Sequence, residues 1–322
     1  MRYLVVLVLV GCVSSSDPNA AEDPLDSEAS QSLTAHAIKP ATIPACTVNT
    51  WCVETAPVTG TPILHAISAV SASDVFAVGD AGTIIERTGG NWVAMTSGTT
   101  ADLRGVWALS STDVWASGVG GVILHYDGTS WSSLSSGSTV DADAVWASGP
   151  SDVWFAGSSV VLRWNGSTFT KYTFAGTMLA VSGNGPNDVW VTGENTNVHH
   201  WNGSTWTTLT PGSGTSSYLT VLAVGSNDIW ATDFMPTKQG AHYNGSTWAL
   251  KNTTNAIYVS LSDFSSSDIW AVGGNKVGHW NGTAWSTPTS PLGTSANLWS
   301  VTTPTSHIWV VGDNALIGHM PL

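Results

Sequence analysis

The sequence predicts an all-β body assembled from seven copies of one four-strand unit. The first observation is a repeated triplet: Asp74-Val75-Phe76, Asp113-Val114-Trp115, Asp152-Val153-Trp154, Asp188-Val189-Trp190, Asp228-Ile229-Trp230, Asp268-Ile269-Trp270 and His307-Ile308-Trp309, spaced by 39, 39, 36, 40, 40 and 39 residues. Such a period holds four short strands and their turns. The second observation is the turn punctuation within each unit. The third is a mismatch at the termini: the last unit stops at Leu322 before any fourth-strand tryptophan, while Asn49-Thr50-Trp51 supplies that pattern ahead of the first unit. A closed ring explains a repeat divided between two chain ends, and an open solenoid does not. The expectation is a seven-bladed β-propeller of four-stranded blades over residues 46–322, with the N-terminal strand completing the last blade.

Each strand has its own signal. An aliphatic residue seven positions before the Asp (Ile67, Val106, Val145, Val181, Val221, Leu261), or six before His307 in the case of Val301, marks the first strand. The triplet opens the second, which Gly79, Gly118, Gly157, Gly193, Gly273 and Gly312 close five positions on. The third ends in an aromatic followed by Asn-Gly or Asp-Gly, as in Trp164-Asn165-Gly166 and Tyr126-Asp127-Gly128. These dipeptides predict two-residue type I′ hairpins. The fourth carries Trp92, Trp131, Phe169, Trp206, Trp248 or Trp285.

The run from second to fourth strand, as in DVWASGVGGVILHYDGTSW, resembles tectonin-type repeats, and its Gly-x-x-Trp end is similar to the Asp-box repeats of sialidase-like propellers and to the repeats of bacterial seven-bladed lectins. The resemblance spans roughly residues 46–322 and implies the fold; propellers serve as enzymes, lectins and scaffolds alike.

Ahead of the repeats, residues 1–12 read MRYLVVLVLVGC, a cation at Arg2, an apolar run, then Cys12. This is the plan of a secretory signal, and Leu9-Val10-Gly11-Cys12 resembles the bacterial lipobox, which implies cleavage before Cys12 and lipidation of that cysteine. Val13, in place of an Asp, favours the outer membrane within that resemblance. Residues 13–45 are rich in Ser, Ala, Pro and acidic residues and read as a flexible acidic tether. Cys46 and Cys52 remain as an even pair in an exported compartment, which permits a disulfide; two unpaired small core residues are the alternative. The formal charge of -13 has the wrong sign for nucleic acid, and 10% charged residues are too few for a solvated disordered chain. No apolar run approaches the roughly 18 residues of a spanning helix, so the lipid anchor is the expected membrane contact.

Several residues look chemical. His125, His200, His242, His279 and His319 occupy one third-strand position, with Glu86 and Arg163 there in the other two units. Positions one blade apart do not converge on one ion, so each His is expected to hydrogen-bond within its blade, to the repeated Asp, and no metal or cofactor is expected. His199 and His200 point to opposite faces of one strand. The repeated tryptophans are expected to pack between blades, and the Asn-Gly-Ser/Thr sequences at Asn165, Asn202, Asn244 and Asn281 to serve as turns. A sialidase-type enzyme needs three converging arginines with a tyrosine nucleophile; Arg87, Arg104 and Arg163 are not placed to converge, and no nucleophile elbow or phosphate loop is present.

The loops between first and second strands are nearly uniform, whereas second-to-third and fourth-to-first loops diverge. Examples are 233–239, Asp141-Ala142-Asp143, Lys171-Tyr172-Thr173-Phe174 and 287–291. These two divergent classes share one face, and loops on a rigid scaffold carry binding residues. Phe234, Met235 and Lys238 are the main candidates for ligand contact, with Asp141 and Asp143 as a weaker pair for a cation. The functional expectation is a non-enzymatic, monomeric, lipid-anchored ring presenting that face to an envelope protein. A glycan-binding lectin is the alternative, and a glycoside-processing enzyme comes third.

Overall fold

The computed structural model describes residues 46–194, 197–211, 217–233, 239–253, 256–288 and 296–322. Cys12, the tether at 13–45, and Phe234, Met235 and Lys238 lie outside the described residues.

The body folds as seven four-stranded antiparallel sheets. In the first blade the strands run Leu64–Ser71, Asp74–Gly79, Ile84–Thr88 and Asn91–Met95, innermost to outermost. Five further blades repeat that order. The seventh places Leu298–Thr302, His307–Gly312 and Ile317–Pro321 beside Cys52–Glu54, whose register Cys52↔His319, Val53↔Gly318, Glu54↔Ile317 closes the ring. Trp51, the residue that matched the missing fourth-strand pattern, packs against the core between the sixth and seventh blades. Cys46 and Cys52 are joined by a disulfide, S–S 2.04 Å.

The triplet explains the core. Strands exposed on neither face read as continuous apolar runs, and Val75, Phe76, Ala77 and Val78 are all fully buried. The second-strand aromatic reaches into the wedge shared with the next blade: Trp115 packs with Val145 and Phe155, Trp190 with Tyr218 and Val221, and Trp309 with Leu64 and Ile67. That last cluster joins the seventh blade to the first, so the apolar seam runs unbroken around the ring. The strand-ending glycines have a packing cause. A Cβ at Gly79, Gly118 or Gly157 would collide with the carbonyl oxygen of Ile63, Asp102 or Asp141, where the chain enters each innermost strand.

Two expectations about turns are corrected. The Asn-Gly connections are not type I′ hairpins: Gly166 and Gly203 have φ of 93° and 95°, but Asn165 and Asn202 are not among the positive-φ residues. Strand pairing ends at Trp164↔Phe169 and Trp201↔Trp206, leaving four-residue loops. The Asn side chain sets their shape, since Asn202 Oδ1 accepts the backbone N–H groups of Ser204 and Thr205 at 3.0 and 2.9 Å, an Asx-type turn. Lys171, Tyr172 and Thr173 belong to an outermost strand, Phe169–Thr173, because Tyr172 pairs with Val161 and stacks on Trp154 at 6.0 Å.

Candidate functional site

The repeated polar residues build a clamp inside the blade. In the fourth blade Asp188 Oδ1 accepts Trp190 Nε1–H at 2.7 Å and lies 2.8 Å from His200 Nε2, and the His ring stacks on the Trp ring at 4.0 Å. The second, fifth and sixth blades repeat the arrangement, with His–Asp distances of 2.9, 2.7 and 2.9 Å. In the third blade Arg163 takes the His role, 2.7 Å from Asp152. Burial alone raises the Asp188 pKa, but hydrogen bonds from His200, Asn184, Ser226 and Trp190 outweigh it and hold the carboxyl below its ordinary range. One carboxylate thus satisfies two donors that would otherwise be half-buried without partners. His199 faces the other way, onto Thr208 and Phe174.

The clamp fails in two blades, each time at the ring closure. In the seventh, His307 occupies the Asp position, and Glu54 of the N-terminal strand supplies the carboxylate instead. Glu54 lies 3.2 Å from His319 and accepts bonds from Arg87 and Trp92 of the first blade. In the first, Phe76 replaces Trp and Glu86 replaces His, so Asp74 has neither donor; burial raises Asp74, and burial plus Asp74 raises Glu86.

Among the described residues, Cys46, Cys52 and His319 are the group that brings three metal-ligating atoms within 4.8 Å of one another, but the two sulfurs are bonded to each other. Arg87 and Arg163 are engaged with Glu54 and Asp152 in different blades, and Arg104 stands elsewhere, on the second blade's innermost strand.

The innermost strands surround a central cavity of about 410 Å³. Its mouth lies where those strands begin, on the face of the divergent loops, and one equivalent residue from each blade lines it: His65, Arg104, Asp143, Leu179, Leu219, Val259 and Trp299 in ring order. In five blades the sheet register skips at this residue, between Leu64 and Ala66, Leu103 and Gly105, Met178 and Ala180, Tyr218 and Thr220, and Leu298 and Ser300. A bulge of this kind re-aims a side chain. The ring is therefore two-sided. Blades one to three contribute polar groups and blades four to six aliphatic ones; Trp299, 37% exposed, stands at the seam.

The polar arc is tightly organised. Arg104 lies 2.6 Å from Asp143 and 3.3 Å from Asp141, and His65 lies 2.7 Å from Asp80. Asp102 Oδ1 accepts the Ala81 N–H, Asp141 Oδ1 the Gly120 N–H, and Asp313 accepts from Trp299 Nε1 at 2.7 Å and from Asn297. Burial opposes the Arg104 charge, but Asp143, Asp141 and Asp102 outweigh it and hold the guanidinium more firmly protonated. Deeper in the cavity wall, Trp107 and Trp146 meet at 6.3 Å. Asp263 lines the same channel on the sixth innermost strand, and burial, then Asp228, pushes its pKa up to about 6.

Of the residues singled out in the sequence, Asp141 and Asp143 stand at this mouth and both face Arg104. The other mouth residues were not singled out as binding groups. A signal existed: they occupy the column nine positions before the anchor Asp, or eight before His307, polar in the first three repeats and apolar in the next three.

Neither a protein-family model nor a curated protein matches this chain. Solved structures do share its fold. A structure titled "YCF48 bound to D1 peptide" aligns with a TM-score of 0.69 at 17% identity, covering 87% of this chain and 100% of that one. A virginiamycin B lyase from Staphylococcus aureus aligns at 0.73 and 14% identity, covering 85% and 99%. The WD40 β-propeller domain of Doa1 aligns at 0.69 and 13% identity, covering 85% and 96%. At such identities the likeness is one of fold, and the chain is a seven-bladed β-propeller.

Proposed function

We propose that this propeller is an exported, non-enzymatic binding module, anchored through a lipid on Cys12 to the outer membrane of a Gram-negative bacterium and receiving an envelope protein at its channel mouth. The carrying observation is the mouth itself: seven equivalent positions whose chemistry changes from charged to apolar around one ring, on a frame whose second strands repeat Val or Ile followed by an aromatic in every blade. A purely structural column would repeat one residue type, as the second strands do. Peptide binding by a propeller has a precedent in the YCF48 complex. The lipobox-like start and the acidic tether support the address. A sialidase-type enzyme has little to draw on, with Arg87 and Arg163 held in ion pairs. A lectin with one site per blade would need exposed platforms, and the second-strand aromatics are at most 6% exposed.

The test is photo-crosslinking in living cells. A benzophenone amino acid replacing Leu219 at the mouth should yield a discrete protein adduct that disappears in the Trp299→Ala background, while the same group replacing Leu250, exposed on an outermost strand, should not. Cys12→Ser should move the protein from the membrane to the soluble envelope fraction. Adducts of equal yield from both positions would remove the mouth as the site.

A further inference from the structure

We infer that the mouth recognises a polypeptide segment in which a cationic side chain stands beside an apolar one; this rests on the reading of the mouth as the binding site. The charge balance there is acidic. Asp80, Asp102, Asp141, Asp143 and Asp313 surround the polar arc, and its one permanent cation among the described residues, Arg104, is already shared by two of them. Both contacts use Arg104 Nη1, so a ligand carboxylate reaching the other guanidinium nitrogens would meet a charge already offset by two aspartates and would enter an arc crowded with carboxylates. An incoming ammonium or guanidinium displaces nothing: among the described residues, Asp102 Oδ2 and Asp143 Oδ2 take no hydrogen bond, while the paired Oδ1 atoms are fixed by Ala81 N–H and Arg104.

Asp80, Asp102 and Asp313 stand on different connections, the neighbouring Asp141 and Asp143 are bridged by Arg104, and among the described residues no three of these carboxylates gather as ligands of one metal ion would. They suit a cation carried on a chain. Trp299 fits the same partner. Its Nε1–H is taken by Asp313, which fixes the ring at the seam with a carboxylate at its edge, a setting for a cation over the aromatic face. Across the ring, Leu179, Leu219 and Val259 offer aliphatic contact to a neighbouring apolar side chain. The cavity, about 410 Å³, lies in the range of small-ligand pockets and admits a few side chains, so the partner inserts a segment and keeps its folded body outside.

The experiment uses the purified full chain and three dye-labelled nonapeptides read by fluorescence anisotropy: alternating Leu/Lys, alternating Leu/Glu and alternating Ser/Lys. The Leu/Lys peptide should bind at least about tenfold more tightly than either of the others. Trp299→Ala and, with the packing left intact, Asp313→Asn should each weaken it by about fivefold to tenfold, and Leu250→Ser should leave it unchanged. Circular dichroism confirms that each variant is folded. Equal or tighter binding of Leu/Glu, lost in Trp299→Ala, overturns the cationic partner and leaves the mouth as the site. Equal binding of Ser/Lys overturns the apolar half. Binding that Trp299→Ala and Leu219→Asp leave untouched overturns the mouth reading itself, and the inference with it.

Discussion

The two ends of the propeller use the same residue types for opposite purposes. Near the uniform face, Asp188, Trp190 and His200 close on one another within a blade, and the same closure recurs in the second, fifth and sixth blades. At the mouth, Trp299 and Asp313 also make a Trp–Asp hydrogen bond, at 2.7 Å, but it occurs once and its indole is 37% exposed. Trp190 is 1% exposed. Repetition plus burial marks the scaffold; a single occurrence plus exposure sets the proposed site apart from it.

The largest test of that contrast compares two tryptophan truncations. Trp190→Ala should lower stability by about 3 to 5 kcal/mol, the usual cost of removing a large buried aromatic. Trp299→Ala should cost under about 1 kcal/mol and act on ligand binding instead. Urea midpoints on the two variants decide it, and similar losses from both would erase the distinction between scaffold and site.

The next test uses pH, because a clamp carboxyl and a carboxyl of the channel wall shift in opposite directions. Asp188 in the clamp is held below its ordinary range, so its contribution is complete above the unfolded value and fades as pH falls through the folded one. Asp263 in the channel rises from 3.8 to about 6 through burial and then Asp228. Between those values the unfolded chain releases a proton that the native chain keeps, so stability should fall as pH rises through that window, by at most about 3 kcal/mol. Asp263→Asn should remove that slope, and Asp188→Asn should remove the acid-side loss. Stability profiles measured from pH 3 to pH 7 that stay parallel to the wild type for both variants would contradict these assignments.

The difference in repetition also governs what a reader of the sequence can see. Strand order, blade number and closure were legible because packing in a ring imposes the same demand seven times, and Trp51 showed where the divided blade is mended. The His–Asp contact was legible for the same reason. The mouth was not, since it is defined by a column that does not repeat and by a bulge at residues such as His65 and Arg104 that leaves no residue signature. Asp141 and Asp143 were legible because they lie in a divergent connection, the one that leads into the third innermost strand. The hairpins were misread because Asn-Gly fits a two-residue turn, while the side-chain oxygen of Asn202 can organise a longer one.

The smallest expected effect sharpens the comparison from inside the scaffold. The first blade keeps the clamp's Asp but has lost both donors, with Phe76 in place of Trp and Glu86 in place of His, and Asp74 Oδ1 is buried with no hydrogen-bond partner among the described residues. Two carboxyls raised by burial, the second further raised by the first, repel when both ionise. Glu86→Gln removes one charge and offers an amide donor to Asp74, and it should stabilise the protein at pH 7 by about 0.5 kcal/mol, within the range of cross-strand pair effects. The gain should shrink at pH 4, where the wild-type carboxyls are increasingly protonated and the repulsion is already relieved. Glu86→His, which restores the residue of the other blades, should gain at least as much, since an imidazole reaches the repeated Asp at 2.7 to 2.9 Å elsewhere in the ring. A loss of stability from both variants would mean that the first blade has repacked around its carboxyl pair, and that the clamp is a set of locally solved blades with no rule shared among them.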